Sequence, residues 1–105
     1  MSQRIETRVV DTGGAAKSTL IQKNACEVFW LSIYAEADGT KGSLTLYDGS
    51  DNGGKLKWQS EPAREHHCLF IPPIPCDVGL FIYNDAHIAC YTVAYRSKGW
   101  MAKEE

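Results

Sequence analysis

The side chains able to do chemistry fall in three places. They are the run His66-His67-Cys68, the cysteines Cys26, Cys68, Cys76 and Cys90, and the oxygen-rich stretch DGSDNG from Asp48 to Gly53. A cysteine nucleophile needs a base within hydrogen-bond reach and a group to orient that base. On a strand His66 and Cys68 share a face, but they lie ~7 Å apart along it, too far for a direct hydrogen bond. His66 and His67 point to opposite faces, so the pair does not readily grip one ion. One imidazole is expected inward and the other outward. Zinc takes four N or S ligands at characteristic spacings. The four cysteines and three histidines contain no C-x-x-C pair and no such spacing. The cysteines therefore read as buried thiols of a reducing compartment, with zinc and disulfides as the alternatives.

In DGSDNG, Asp48, Ser50 and Asn52 take the first, third and fifth places of a calcium loop. Calcium wants six to eight oxygens, and such a loop normally closes on a bidentate Glu at its twelfth place. Here that place holds Gln59, and the flanks alternate like strands. Asp, Asn and Gly are also what a tight β turn requires. The stretch reads as the tip of a hairpin, with calcium at Asp48, Ser50 and Asn52 as the weaker alternative. No nucleophile elbow, zinc-protease helix, phosphate loop or dinucleotide fingerprint occurs. Neither catalysis nor a cofactor is expected.

These residues must be held by a small frame. A chain of 105 residues makes one domain. Its net charge of −2 offers no field to gather phosphates, which argues against a nucleic-acid partner. No run approaches the ~20 apolar residues that span a bilayer. The start, MSQRIETRVVDTGG, lacks the apolar core of a secretory signal, so folding in a cytosol is expected.

Periodicity of two dominates the chain. The clearest strand is CEVFWLSIYAEA, Cys26 to Ala37, with Phe29, Leu31, Ile33 and Ala35 on one face and Val28, Trp30, Ser32 and Tyr34 on the other. Lys17 to Ile21 suits a short strand. Leu44 and Leu46 alternate with Ser43, Thr45 and Tyr47, and Leu56 and Trp58 with Lys55, Lys57 and Gln59. That hairpin is expected to have one wet face. HHCLFIPP reads as a strand stopped by Pro72 and Pro73, with IPCDVG as a turn-rich crossing. GLFIYN and HIACYTVAYR close the domain. No segment has a helical period. About seven or eight short strands separated by turn residues predict an all-β fold, an antiparallel β-sandwich with a jelly-roll or Greek-key path. The expected organisation is an N-terminal arm or irregular edge over 1–20, a sandwich over 21–97 and a tail over 98–105.

Trp30, Tyr34, Tyr47, Trp58, Tyr83, Tyr91 and Tyr95 serve packing first, with an interface or a ligand-stacking platform as alternatives. Trp30 and Tyr34 stand out as interface candidates, because their face also carries Ser32. Trp100 and Met101 in the tail join them, since apolar residues at a terminus either fold back or dock on a neighbour.

Two stretches, GSLTLYDGSDNGGKLKW and CLFIPPIPCDVGLFIYNDAHIACYTVAYR, resemble small β-sandwich virion proteins of tailed bacteriophages. The pattern comprises the strand Leu44–Gly49, the return Gly54–Leu56, the apolar strand ending PPI, and GLFI followed by a strand ending YTVAYR. It covers about residues 26–96. The resemblance implies a capsid decoration (cement) protein that clamps the phage head. Its implied partners are the major capsid protein and copies of itself as a homotrimer, on the virion surface after synthesis in the host cytoplasm. No catalytic residue belongs to the pattern. The rival expectations are a carbohydrate- or receptor-binding module of a tail or fibre, and a head–tail or tail adaptor.

Overall fold

A computed structural model describes residues 4–36 and 41–97. The tail candidates Trp100 and Met101 lie outside the described residues. Eight strands run β1 (Glu6–Asp11), β2 (Lys17–Gln22), β3 (Cys26–Ala35), β4 (Leu44–Asp48), β5 (Lys55–Ser60), β6 (His66–Cys76), β7 (Leu80–Asn84) and β8 (Ile88–Ser97). They form two four-stranded antiparallel sheets, ordered β1-β8-β3-β6 and β2-β7-β4-β5. Strand one pairs with eight, two with seven, three with six and four with five. This is a long hairpin wrapped into two layers, the jelly-roll path.

Segment 1–20, expected as an arm or irregular edge, supplies β1 and the start of β2. Each is an edge strand of its sheet. Polar residues suit that place, because an edge strand has fewer buried neighbours.

The core lies between the sheets. Leu31 and Ile33 of β3, Leu44 and Leu46 of β4, Leu80 and Ile82 of β7, and Tyr91 and Val93 of β8 are fully buried. Each set is spaced by two residues, as one face of a pleated strand requires. Trp58 of β5 and Phe70 of β6 close one open side of the sandwich, edge to face at 5.4 Å.

The structure departs from the expected strands in three places. In β3, Val28 pairs with Tyr95 and Trp30 with Ala94, so Phe29 is an extra residue against β8. This bulge turns Val28 into the core and leaves Phe29 half-buried outside it. In β5, Leu46 faces Trp58 but Tyr47 faces Leu56, so Lys57 is extra. Trp58 therefore points inward, while Leu56 is 55% exposed instead of buried. Strand β6 does not stop at Pro72 and Pro73 but continues to Cys76. Its residues 70–73 bulge out of the ladder, with Ile74 paired to Val28 and Leu69 to Trp30 and none of the four paired to β3. Because β6 is also an edge strand, neither proline N–H is needed by a neighbour.

Tyr91 and Tyr95 are core residues and form no surface platform. Burial pushes the Tyr91 phenol up to about 12. Its hydroxyl and that of Thr19 are buried without a hydrogen bond of good geometry. Tyr91→Phe is therefore expected to change stability by less than about 1 kcal/mol, or to raise it, in a denaturant titration. A loss of several kcal/mol would show that the hydroxyl is satisfied.

Candidate functional site

The register aligns side chains in rows across the outer face of the first sheet. One row runs Thr7, Ala94, Trp30, Leu69, and the next Val9, Thr92, Ser32, His67. Val9 is 67% and Leu69 68% exposed, and Ile71 on the same edge strand reaches 82%. Tyr34 is also exposed. A groove of about 480 Å³ opens among Trp30, Leu31, Ser32, His67, Cys68 and Leu69. The predicted interface candidates Trp30 and Tyr34 thus share one face. Sequence reasoning missed Val9, Leu69 and Ile71. Val9 lies in the segment read as an arm, and Leu69 and Ile71 in a strand whose faces strand order decides. The edge positions of β1 and β6 leave all three uncovered.

His67 is the polar centre of this face. Its Nδ1 and the Ser32 hydroxyl share a hydrogen bond of 2.9 Å. Its Nε2 lies 3.4 Å from a Glu65 carboxylate oxygen. Its ring meets Tyr34 edge to face at 5.8 Å. Glu65, His67 and Ser32 therefore stand in the order acid, imidazole, hydroxyl. Serine catalysis also needs donors aimed at the developing oxyanion and a site shielded from water. Here Ser32 sits in mid-strand between two ladder partners, His67 and Thr92. His67 and Glu65 side chains are 54% and 63% exposed. The Ser32 hydrogen bond and the edge of Tyr34 hold the imidazole in one orientation.

Ser32→Ala is expected to leave the rate of hydrolysis of an activated ester such as p-nitrophenyl acetate unchanged, with the wild-type rate no greater than that of free imidazole. A wild-type rate ~100-fold above that, lost in the variant, would make this relay an active site.

His66 and Cys68 lie on the same strand, and Cys68 faces Leu31 of β3. Among the described residues no group of three or more His, Cys, Asp or Glu side chains converges as a metal site would require. The opposite sheet also carries an outer apolar row, Leu20, Phe81, Tyr47, Leu56. Phe81 there is nearly covered, and Tyr47 leans on it at 6.2 Å. At one end of the first sheet Arg96 pairs with Glu27 at 2.9 Å and lies over the Phe29 ring, 5.3 Å from its centre.

The hairpin tip is organised around Asp48, which is only 8% exposed. One carboxylate oxygen accepts from the Asp77 amide at 2.9 Å, and the other from Val78 at 2.8 Å and Gly79 at 3.3 Å. Burial pushes the Asp48 carboxyl up, but the three amides outweigh it and hold the group below the ordinary carboxylate value. Asp48 thus fastens the β4–β5 tip to the β6–β7 turn. Gly79 is required where they meet, since an added Cβ would sit 2.7 Å from the Gln22 carbonyl oxygen. Ser50 and Asn52 are exposed in the turn beyond. There Asp51 accepts the Gly53 amide at 2.9 Å in a local turn.

No family model matches the chain, and no curated protein is significantly similar to it. Among solved structures it is similar to a chain from the disulfide-linked pili of Bacillus endospore appendages, with TM-score 0.56 and 11% identity over 91% of this chain and 86% of that one. The likeness is one of fold. A chain of infectious bursal disease virus, Gx strain, gives TM-score 0.34 and 12% identity over 91% of this chain and 34% of that one. The Gt strain gives 0.28 and 14% over 94% and 32%.

Proposed function

We propose that this chain is a non-enzymatic structural protein that works by contact, a capsid decoration (cement) subunit that binds copies of itself and the major capsid protein. The observation that carries the reading is the outer face of the β1-β8-β3-β6 sheet. It exposes Leu69 in the Trp30 groove, Ile71 on the same edge strand, Tyr34 on β3 and Val9 on the opposite edge strand. Several large apolar side chains left in water on one face of a small domain mark an interaction surface. The jelly-roll frame supports the reading by analogy of fold, since it is shared with a chain of an assembled pilus. Contacts of this size are individually weak, and repetition by symmetry makes them collectively strong.

The occupant of the face is a second copy of the chain, in a homotrimer seated on the shell. Tyr34 and Trp30 supply the flat apolar area, and His67 with Ser32 a polar point that fixes the register. Heads assembled with and without the chain test the reading. Heads lacking it are expected to rupture at lower temperature and lower ionic stress. Equal rupture temperatures, or binding of the purified chain to glycans with no binding to heads, would replace cement with a receptor-binding role.

A further inference from the structure

The first residue of β3 and the last of β6 are both cysteines, and the register sets Cys26 directly opposite Cys76. Both side chains are 0% exposed and belong to the core. Directly opposed residues of an antiparallel pair hold their Cβ atoms about 4.5–5.5 Å apart, and a disulfide asks for about 3.5–4.5 Å. The gap is small, and among the described residues β6 has no neighbour on its other side to resist the approach. A hydrogen bond from the Cys26 thiol draws the Cys76 thiol's pKa down, against burial. The two sulfurs already interact in the reduced protein.

We propose that Cys26 and Cys76 are a modification site, a thiol pair that exchanges with a small-molecule disulfide such as oxidised glutathione to form an intramolecular bond locking the end of β6 onto β3. Residues 70–73 of β6 pair with no residue of β3, and local opening of that edge gives the buried pair its access to solvent. In the opened end the Cys76 thiol loses its proton to solvent, and the thiolate attacks one sulfur of oxidised glutathione. The S–S electron pair leaves with the other half as glutathione thiolate, which takes up a proton. The Cys26 thiolate then attacks the Cys76 sulfur of the mixed disulfide and expels the second glutathione thiolate. Two protein thiols are oxidised to one disulfide, and one glutathione disulfide is reduced to two thiols.

Cys68 and Cys90 are not set opposite another cysteine. Cys68 faces Leu31, and Cys90 faces Tyr34 and Asp11. Burial raises both thiols, with Asp11 and Glu36 adding to the rise at Cys90. At neutral pH they are the slower nucleophiles.

The test is peptide mapping of the full chain after exposure to oxidised glutathione, both folded and during refolding from guanidinium. Remaining thiols are alkylated and the digest is run without reductant. The expected product is a monomer with Cys26 joined to Cys76 and with Cys68 and Cys90 alkylated. The bond is expected to raise the melting temperature by about 10 °C or more over the reduced chain. Cys68→Ser/Cys90→Ser keeps both the cross-link and the rise, and Cys76→Ser loses both. The wild-type map does not depend on how well Cys76→Ser folds. Cys26 and Cys76 recovered alkylated in both arms, left as mixed disulfides, or joined to Cys68, Cys90 or another chain would overturn the proposal.

Discussion

Asp48→Ala is expected to lower the melting temperature by about 10–20 °C, which corresponds to about 3 kcal/mol in a domain of this size. The substitution removes a nearly buried carboxylate and leaves the amides of Asp77, Val78 and Gly79 without their acceptor. A hydrogen bond to a charged acceptor contributes about 1.5–3 kcal/mol, and three on one group do not add in full. Asp51→Ala, which breaks only the exposed turn bond to Gly53, is expected to cost less than about 1 kcal/mol.

The Asp48 effect carries a pH signature. The folded pKa lies below the unfolded one, so the stabilisation is complete above the unfolded carboxylate pKa of about 3.9. It is lost as pH falls through the lower folded value. The gap in stability between wild type and Asp48→Ala is therefore constant from neutral pH to about pH 5 and closes in stronger acid. Thermal melts across that range check it. A gap that stayed open in acid would mean that the carboxylate's charge is not what the turn uses. A rise in melting temperature on adding calcium, lost in Asp48→Ala and Asn52→Ala, would instead return the tip to the metal-loop reading.

Leu69→Glu/Ile71→Glu is expected to weaken association of the chain with its own copies, and with heads, by at least ~100-fold while leaving the fold intact. Both side chains are largely in solvent, so the cost to the monomer is within about 1 kcal/mol. At an interface the same two carboxylates must be buried without partners, a cost of several kcal/mol. Leu56→Glu on the opposite sheet is the control and is expected to leave association unchanged. Sedimentation velocity over a concentration series reads both. A double variant that associates like wild type would remove this face from the account, and a Leu56→Glu variant that is monomeric would move the interface to the second sheet.

The fold was legible because its signal is local. Alternation at Leu44–Leu46, Leu80–Ile82 and Tyr91–Val93 sets which face of each strand is buried. Turn residues at Asp51–Gly54 and Asn84–Asp85 mark where strands reverse. The departures came from single extra residues. Phe29 and Lys57 each shift the alternation by one place, and nothing in their side chains marks a bulge. Pro72 and Pro73 read as a stop because strand order was unknown, and an edge position tolerates what a central one does not.

The interaction face was half legible. Trp30 and Tyr34 were found through Ser32, a polar residue that marks an outer face. Leu69 and Ile71 were not, because an exposed apolar residue on an edge strand carries the same pattern as a buried one, and Val9 was not, because its segment shows no period. The contact between Glu65, His67 and Ser32 joins residues 35 positions apart in the sequence at its longest step. The pairing of β3 with β6 creates it, and no local spacing announces it. The same holds for Cys26 and Cys76.

The most direct measurement is hydroxyl-radical footprinting of the chain, free and self-associated. In the associated form Trp30, Tyr34, Leu69 and Ile71 are expected to lose most of their labelling, while Leu20 and Leu56 on the other sheet keep theirs. Equal labelling of the two sheets in both forms, or a chain that stays monomeric at every concentration reached, would contradict an assembly role for this face.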